Sequence, residues 1–168
     1  AAHEKSKVIA TFDLSNFYGS VSSHHVHTFF SQRMMCVGDV AGILTNLTTF
    51  RNCLPTGSPL SPLLALLTCK PMFDGLQSLA QKHNLIFTAY VDDLTFSGDS
   101  IPQSLEREVN SVVRRYGHCI NMKKTRIFSE HQAKHVTGTV IIKNKIHVPH
   151  ARLVSARRLE AAINGEIE

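Results

Sequence analysis

The stretch Leu85-Ile-Phe-Thr-Ala-Tyr-Val-Asp-Asp-Leu-Thr-Phe-Ser97 decides the fold of this chain. Branched and aromatic residues on both sides of an acidic pair predict two strands, Leu85–Val91 and Leu94–Ser97. Because the connection between these strands is so short, we expect a β-hairpin with Asp92 and Asp93 at its tip. Aspartate also favours turns for local reasons, so the pair alone does not establish a functional site.

The segments around this hairpin predict a sheet with helices on one of its faces. Lys7–Phe12 is a short apolar run that predicts a buried strand ending at Asp13. The first predicted helix begins at a cap at Ser20 or Ser22 and runs through Phe30, and four more are predicted over Val37–Leu47, Leu63–His83, Ser104–Tyr116 and Arg152–Ile163. Three further strands are predicted over Lys124–Phe128, His135–Ile142 and Lys145–Val148. A turn is predicted at Asn144, between the last two of these strands. This order is typical of the α+β class, in which one face of an antiparallel sheet can stay open.

Composition places the chain among single folded domains and excludes several classes of protein. With 168 residues, of which 43% are hydrophobic, the chain can bury a core, and no apolar run is long enough to span a membrane. The four cysteines form no C-x-x-C pair and no export signal is present, so we expect neither a zinc ribbon nor disulfides but a cytoplasmic protein. Residues 114–168 hold eleven of the 18 Lys and Arg residues, which suits either phosphate contacts or an ordinary solvated surface.

Three acids, Asp13, Asp92 and Asp93, lie at predicted strand ends with few cations beside them in the sequence. Carboxylates held together without partners repel each other, and a divalent cation relieves that repulsion. Mg²⁺ prefers a few carboxylate oxygens together with substrate phosphates, and two such ions can activate an attacking oxygen and stabilise a leaving one. Since neighbouring residues on a strand point to opposite faces, we expect Asp92 to be the stronger ligand of the adjacent pair.

Motifs in a fixed order connect these acids with a known family. Tyr90-Val-Asp-Asp93 resembles the Tyr-x-Asp-Asp motif of reverse transcriptases. The other matches are Phe12-Asp-Leu-Ser-Asn-Phe-Tyr18 with their first acidic motif, Leu54-Pro-Thr-Gly-Ser-Pro-Leu-Ser-Pro62 with Leu-Pro-Gln-Gly-x-x-x-Ser-Pro, and Asn121-Met-Lys-Lys-Thr125 with Asn-x-x-Lys-Thr. Leu94-Thr-Phe-Ser-Gly98 and the Val-Thr-Gly signature in His135-Val-Thr-Gly138 are typical of bacterial retron and retron-like enzymes.

The resemblance implies a ferredoxin-like polymerase palm, an antiparallel sheet with helices on one face. Residues 1–150 would form this palm without the fingers segment, and residues 151–168 would begin the thumb. The implied reaction is RNA-directed DNA polymerisation, in which a primer hydroxyl attacks the α-phosphate of a dNTP on an RNA template. Without fingers and most of the thumb, residues 1–168 alone are expected to polymerise weakly or not at all.

The resemblance also assigns residues. Two Mg²⁺ or Mn²⁺ ions would be held by Asp13, Asp92, Asp93 and the carbonyl of Leu14, and Lys124 would protonate the leaving pyrophosphate. The dNTP-binding residues would be Phe17, Tyr18, Thr56, Gly57 and Tyr90. Of these, Tyr18 would exclude a ribose 2′-hydroxyl, and Thr56 departs from the family's usual Gln. The RNA-binding residues would be Val136, Thr137, Gly138, Arg152, Arg157 and Arg158.

The implied partners are a structured RNA template, an RNA or DNA primer and dNTPs, with a cognate non-coding RNA and an effector protein in antiviral defence. Several alternatives stay open from the sequence. The chain could be a group II intron-like or phage-defence-associated reverse transcriptase, or a nucleic-acid-binding palm without activity. A cyclic-dinucleotide cyclase would share the palm but carries Gly-Gly-Asp/Glu-Glu-Phe at its hairpin, where this chain has Ala89-Tyr-Val-Asp-Asp93.

Overall fold

A four-stranded antiparallel sheet carries the acidic hairpin. The computed structural model describes residues 2–142 and 145–163, so the predicted turn at Asn144 lies outside the described residues. The strands are β1 (Val8–Asp13), β2 (Ile86–Tyr90), β3 (Asp93–Gly98) and β4 (Arg126–Phe128), in the spatial order β2-β3-β1-β4. With helices after β1 and after β3, this is the strand order of a ferredoxin-like unit, which confirms the predicted fold.

Helices fill the two crossovers and cover one face of the sheet. They are α1 (Phe17–Ser20), α2 (Ser23–Thr28), a π-helical turn (Phe29–Arg33), α3 (Gly38–Thr48), α4 (Ser61–Thr68), α5 (Lys70–Lys82) and α6 (Leu105–Arg115). Phe12 of β1 and Phe96 of β3 meet edge to face beneath them, with 5.8 Å between ring centroids. The side chains that α5 and α6 bury in the same cluster are Met72, Leu76, Val109 and Val113. None of the described helices is long and apolar enough to span a bilayer.

The predicted helix Leu63–His83 is wrong in one respect, because it is two helices that part at Cys69. Pro71 lies in the first turn of α5. Proline has no N–H to donate to the preceding turn, and its ring collides with the carbonyl four residues earlier. A continuous helix through this position would lose a hydrogen bond, whereas the first turn of a new helix tolerates proline well.

The predicted strand His135–Ile142 is also wrong, because it folds back on itself as a hairpin. It forms β5 (Lys134–Val136) and β6 (Thr139–Ile142), which with β7 (Lys145–His147) make a second antiparallel sheet. Between β5 and β6, Thr137 and Gly138 have φ angles of 39° and 77°. Two consecutive left-handed residues are the requirement of a type I′ turn, which glycine favours. The last helix, α7 (His150–Ile163), follows this sheet.

A buried polar chain ties the segment after β1 to the helices. Ser20 Oγ donates to the Phe17 carbonyl, so it accepts from His118 Nδ1 at 2.7 Å. The other ring nitrogen of His118 then accepts from the Cys69 thiol, with 3.3 Å between Nε2 and Sγ. Burial raises the pKa of Cys69 to about 12, and burial together with the charge of His25 lowers the pKa of His118 to about 4. Both groups are therefore neutral at physiological pH.

We predict that His118 makes the fold acid-sensitive. The unfolded chain binds a proton on this residue near pH 6.5 and the folded chain only near pH 4. Between these values the unfolded state binds more protons, so the free energy of unfolding falls as the pH drops, by an amount on the order of 1–3 kcal/mol. Urea unfolding at pH 7 and pH 5 measures that loss.

His118→Gln, which cannot titrate, should be less stable at pH 7 but should lose less of its remaining stability at pH 5. The exposed His24→Gln serves as the matched control and should follow the unsubstituted chain. An acid loss for His118→Gln equal to that of the unsubstituted chain would contradict the assignment.

Candidate active site

Strand register brings two distant acids together. Asp13, the last residue of β1, pairs directly with Asp93, the first residue of β3. Ala10 and Phe12 lie on the face of β1 that packs against the helical core, and Asp13 is the next residue after Phe12. Because side chains alternate between faces, Asp13 and Asp93 lie on the face opposite the helices. Two carboxylates that are far apart in sequence therefore lie at the same end of two neighbouring strands and on the same face of the sheet.

The turn of the acidic hairpin holds the third acid beside them. Tyr90 pairs with Asp93, so Val91 and Asp92 are the two turn residues. Val91 has a φ of 57°, a left-handed conformation that is strained for a β-branched residue and that type II′ hairpins require at this position. The N–H of Leu14 donates to the Asp92 carbonyl at 2.9 Å, which ties the turn to the end of β1.

The lysine of the Asn-x-x-Lys-Thr stretch reaches the same edge. Lys124 Nζ lies 2.7 Å from Asp13 Oδ1, and the Asp13 side chain is 13% exposed while that of Lys124 is 62% exposed. The hydrogen bond to Asp13 and the charge of that carboxylate raise the pKa of Lys124. Lys124 is therefore protonated at neutral pH.

Asn121 anchors the loop that presents this lysine. Its N–H donates to the Asp13 carbonyl at 2.7 Å, and its own carbonyl accepts from the Lys124 N–H at 3.0 Å. Its side-chain Oδ1 accepts from the Lys123 N–H at 3.2 Å. The motif Asn121-Met-Lys-Lys-Thr125 contains this residue, but the sequence analysis assigns it no role. The preference of Asn for bonding the backbone two residues further on was the signal that could have indicated one.

The acids repel one another, as expected for a cation site. Burial, then the charges of Asp92 and Asp13, raise the pKa of Asp93, and Lys124 opposes that rise. This mutual repulsion fits a site that a divalent cation would stabilise. Within residues 2–142 and 145–163, however, no three Asp, Glu, His or Cys side chains are yet gathered around one point. The acids converge on one edge without forming a complete ligand set, and Lys124 occupies one oxygen of Asp13.

An open cleft of about 340 Å³ adjoins these acids and collects many of the predicted site residues. Its lining comprises Asp13, Leu14, Ser15, Asn16, Phe17, Tyr18, Thr56, Val91, Asp92, Asn121 and Lys124. Burial, followed by the charges of Asp92 and Tyr90, raises the pKa of Tyr18, so its hydroxyl stays protonated at neutral pH. Phe17 is buried and packs edge to face on Phe73. It therefore forms the base of the cleft and offers little surface for direct contact with a nucleotide.

The remaining predicted nucleotide residues lie beside this cleft. Gly57 follows Thr56 with a φ of 91°, a conformation that favours glycine. Tyr90 is 69% exposed. It lines an adjacent apolar groove of about 350 Å³, which shares Phe17 and Val91 with the cleft.

The structure places the predicted RNA-binding residues in two exposed groups, and it buries one of them, Val136. The Arg152 guanidinium covers the turn of the second sheet, where a Cβ on Gly138 would lie 2.8 Å from Arg152 Nη2. Thr137, next to Gly138 in this turn, is exposed. The Val-Thr-Gly signature and the first of the predicted RNA-binding arginines therefore lie side by side. Val136, by contrast, is buried with Ile9 and Ile141, so its side chain offers no contact to RNA.

Arg157 and Arg158 are exposed on α7. Neither is among the residues that line the cleft.

Comparisons with known proteins bear on this arrangement. The sequence matches the reverse transcriptase (RNA-dependent DNA polymerase) family over residues 1–141. It is 32% identical to the retron Ec86 reverse transcriptase of Escherichia coli, over 87% of this chain and 46% of that protein. It is 28% identical to the retron Mx162 reverse transcriptase of Myxococcus xanthus, over 97% of this chain and 40% of that protein. The chain thus spans less than half the length of these relatives.

A solved structure agrees on the fold. Apo telomerase from Candida tropicalis, truncated from its C-terminal domain, superposes with a TM-score of 0.61 at 11% sequence identity. The match covers 84% of this chain and 35% of that chain. It supports the palm-like α+β fold and, at this identity, the fold alone.

The family match covers most of the chain, and the relatives match the same region at up to 32% identity. They also confirm the retron-type resemblance that the ordered motifs predicted. The chain therefore belongs to the reverse transcriptase family, and its type is that of the bacterial retron enzymes.

Proposed function

We propose that this chain is the palm of an RNA-directed DNA polymerase, which joins a dNTP to a primer hydroxyl on an RNA template. In this proposal residues 1–150 belong to the palm and residues 151–168 to the start of the thumb, of which 164–168 lie outside the described residues. The single observation that carries the proposal is the pairing of Asp13 with Asp93 at the strand ends, with Asp92 tied to Leu14 beside them. Asp13 and Asp92 line the open cleft and Asp93 is paired with Asp13 beside it, and carboxylates placed around a cleft suit phosphoryl transfer.

Asp13, Asp92 and Asp93, with the Leu14 carbonyl, would hold two divalent ions, Mg²⁺ or Mn²⁺. Such ions supply Lewis acidity and charge neutralisation when bound. Lys124 carries a proton at neutral pH on an exposed side chain, so it can swing toward a leaving pyrophosphate and protonate it.

Tyr18 and its neighbours would select and hold the nucleotide. Tyr18 lines the cleft near Asp92, where a ring beneath the sugar would collide with a ribose 2′-hydroxyl but not with a deoxyribose. Thr56 also lines the cleft, where it can donate a hydrogen bond, and the absence of a side chain at Gly57 lets template and nucleotide approach the backbone. The exposed Tyr90, in the adjacent groove, would complete the dNTP-binding residues.

Basic residues outside the cleft would bind the template and primer. Thr137, Gly138 and Arg152 form one exposed group, and Arg157 and Arg158 form a second, exposed on other faces of α7. Arginine contacts to phosphate depend on salt but not on sequence. From the motif resemblance we further propose a structured RNA template, an RNA or DNA primer, a cognate non-coding RNA and an effector protein, in cytoplasmic antiviral defence.

We predict that Asp92→Asn abolishes dNTP incorporation while leaving RNA binding nearly intact. Removing one charge from the ligand set should lower the rate by roughly a hundredfold or more, since each positioned charge stabilises the transition state strongly. Primer extension on an RNA template, with the full-length polypeptide that contains these residues, measures the rate, and filter binding measures RNA affinity.

Asp99→Asn is the matched control, because its side chain is 89% exposed and pairs only loosely with Lys7 at 3.6 Å. It should leave extension unchanged. An Asp92→Asn variant as active as this control would refute the catalytic assignment. Loss of RNA binding together with activity would indicate a structural role instead, and turnover of GTP to a cyclic dinucleotide would favour the cyclase alternative.

We further predict that Tyr18→Ala weakens discrimination against ribonucleotides. Removing the ring opens space for a 2′-hydroxyl, and steric exclusion of one such group is worth roughly 10- to 100-fold. The ratio of kcat/KM for dNTP and rNTP measures this change. Tyr18→Phe, which keeps the ring, should retain the original ratio, and an equal loss in both variants would mean that the hydroxyl rather than the ring selects the sugar.

A further inference from the structure

We propose that Lys124 stands in for a metal ion at Asp13 while no nucleotide is bound, so that metal loading requires its withdrawal. This inference rests on the proposed function, since it assumes that Asp13 is a metal ligand. It assigns Lys124 a role before the reaction, in addition to any proton transfer during it.

The geometry places the ammonium group where a cation would bind. Lys124 Nζ contacts Asp13 Oδ1 at 2.7 Å, and the Asp13 side chain is only 13% exposed. Lys124 therefore holds one of the two oxygens of an enclosed carboxylate, so a metal ion that takes Oδ1 must displace the ammonium group, and one that takes Oδ2 alone would lie beside its positive charge. Lys124 also interacts with the charges of Asp92 and Asp93. Its single charge therefore reduces the repulsion among the acids that a metal would otherwise relieve.

The anchor of the lysine loop makes an exchange possible without refolding. Asn121 holds the backbone of this loop through bonds to the Asp13 carbonyl and the Lys124 N–H. Only the side chain of Lys124 needs to move, and at 62% exposed it is free to do so. The loop can thus keep the lysine near the cleft after it leaves Asp13.

A nucleotide triphosphate supplies the alternative partner. Its phosphates would lie in the cleft that Lys124 lines. An ammonium group drawn to those phosphates frees Asp13 Oδ1 for a metal ion. By linkage, nucleotide then raises metal affinity and metal raises nucleotide affinity by the same factor. The exchange would keep the site from loading metal fully until a substrate arrives.

A titration with Mn²⁺ in the absence of nucleotide tests this exchange. The electron paramagnetic resonance signal of the free ion measures how much Mn²⁺ is bound. Lys124→Met should bind Mn²⁺ roughly two- to fivefold more tightly than the unsubstituted chain, the range expected for removing one exposed ion pair. Lys123→Met loses the same charge from the neighbouring residue, which has no ion pair with Asp13, and should change affinity little. Lys124→Arg keeps the competing cation and should not tighten binding.

Asp13→Asn separates the two ideas. If this variant binds Mn²⁺ as the unsubstituted chain does, Asp13 is not a ligand and the proposed function loses its metal site. If Asp13→Asn weakens binding but Lys124→Met binds no more tightly than Lys123→Met, the metal site stands and the exchange is wrong.

A second measurement needs no substitution. Acetic anhydride modifies only uncharged amines, so the ion pair should protect Lys124. Mass spectrometry should show the ratio of Lys124 to Lys123 acetylation rising when Mg²⁺ is added. A ratio that stays constant while Mg²⁺ binds would mean that the lysine does not leave Asp13.

Discussion

The pairing of β1 with β3 is the constraint on which the rest of the site depends. Six residue pairs, from Val8–Gly98 to Asp13–Asp93, set which side chains enter the helical core and which lie on the opposite face with Asp13. Because strand side chains alternate, a slip of one residue would bury Asp13 and expose Phe12. The buried contact between Phe12 and Phe96 opposes such a slip, so the apolar core positions the acids that lie outside it.

The site contains groups that are unfavourable where they lie, namely carboxylates that repel each other and a strained backbone turn, and the surrounding structure holds them in place. Carboxylates that repel each other are kept together by backbone pairing, and Val91 is kept in a strained conformation by the same hairpin. Lys124 relieves part of the repulsion from a loop that Asn121 anchors to β1. Such conflicts at strand ends are typical of functional sites, where structure elsewhere in the fold stabilises them.

Much of this arrangement could be predicted from sequence, and the failures have physical causes. The hairpin and the α+β order followed from periodicity, whereas the convergence of Asp13 and Asp93 followed only from the family resemblance, since periodicity carries no long-range information. The break at Cys69 and the turn at Gly138 were missed because one proline and one glycine outweigh a long apolar pattern. The pairing of Lys124 with Asp13, separated by 111 residues, is a tertiary contact that no local pattern reports.

The central claim is that Asp13, Asp92 and Asp93 share a divalent cation at one edge of the sheet. Paramagnetic broadening of backbone amide signals by substoichiometric Mn²⁺ tests it most directly, because broadening falls steeply with distance from the ion. Shared binding by the three acids should broaden the amide signals of Leu14, Asp92 and Asp93 together and first, while that of Gly98 at the far end of β3 stays sharp. Broadening centred elsewhere, or on Asp92 and Asp93 without Leu14, would contradict it.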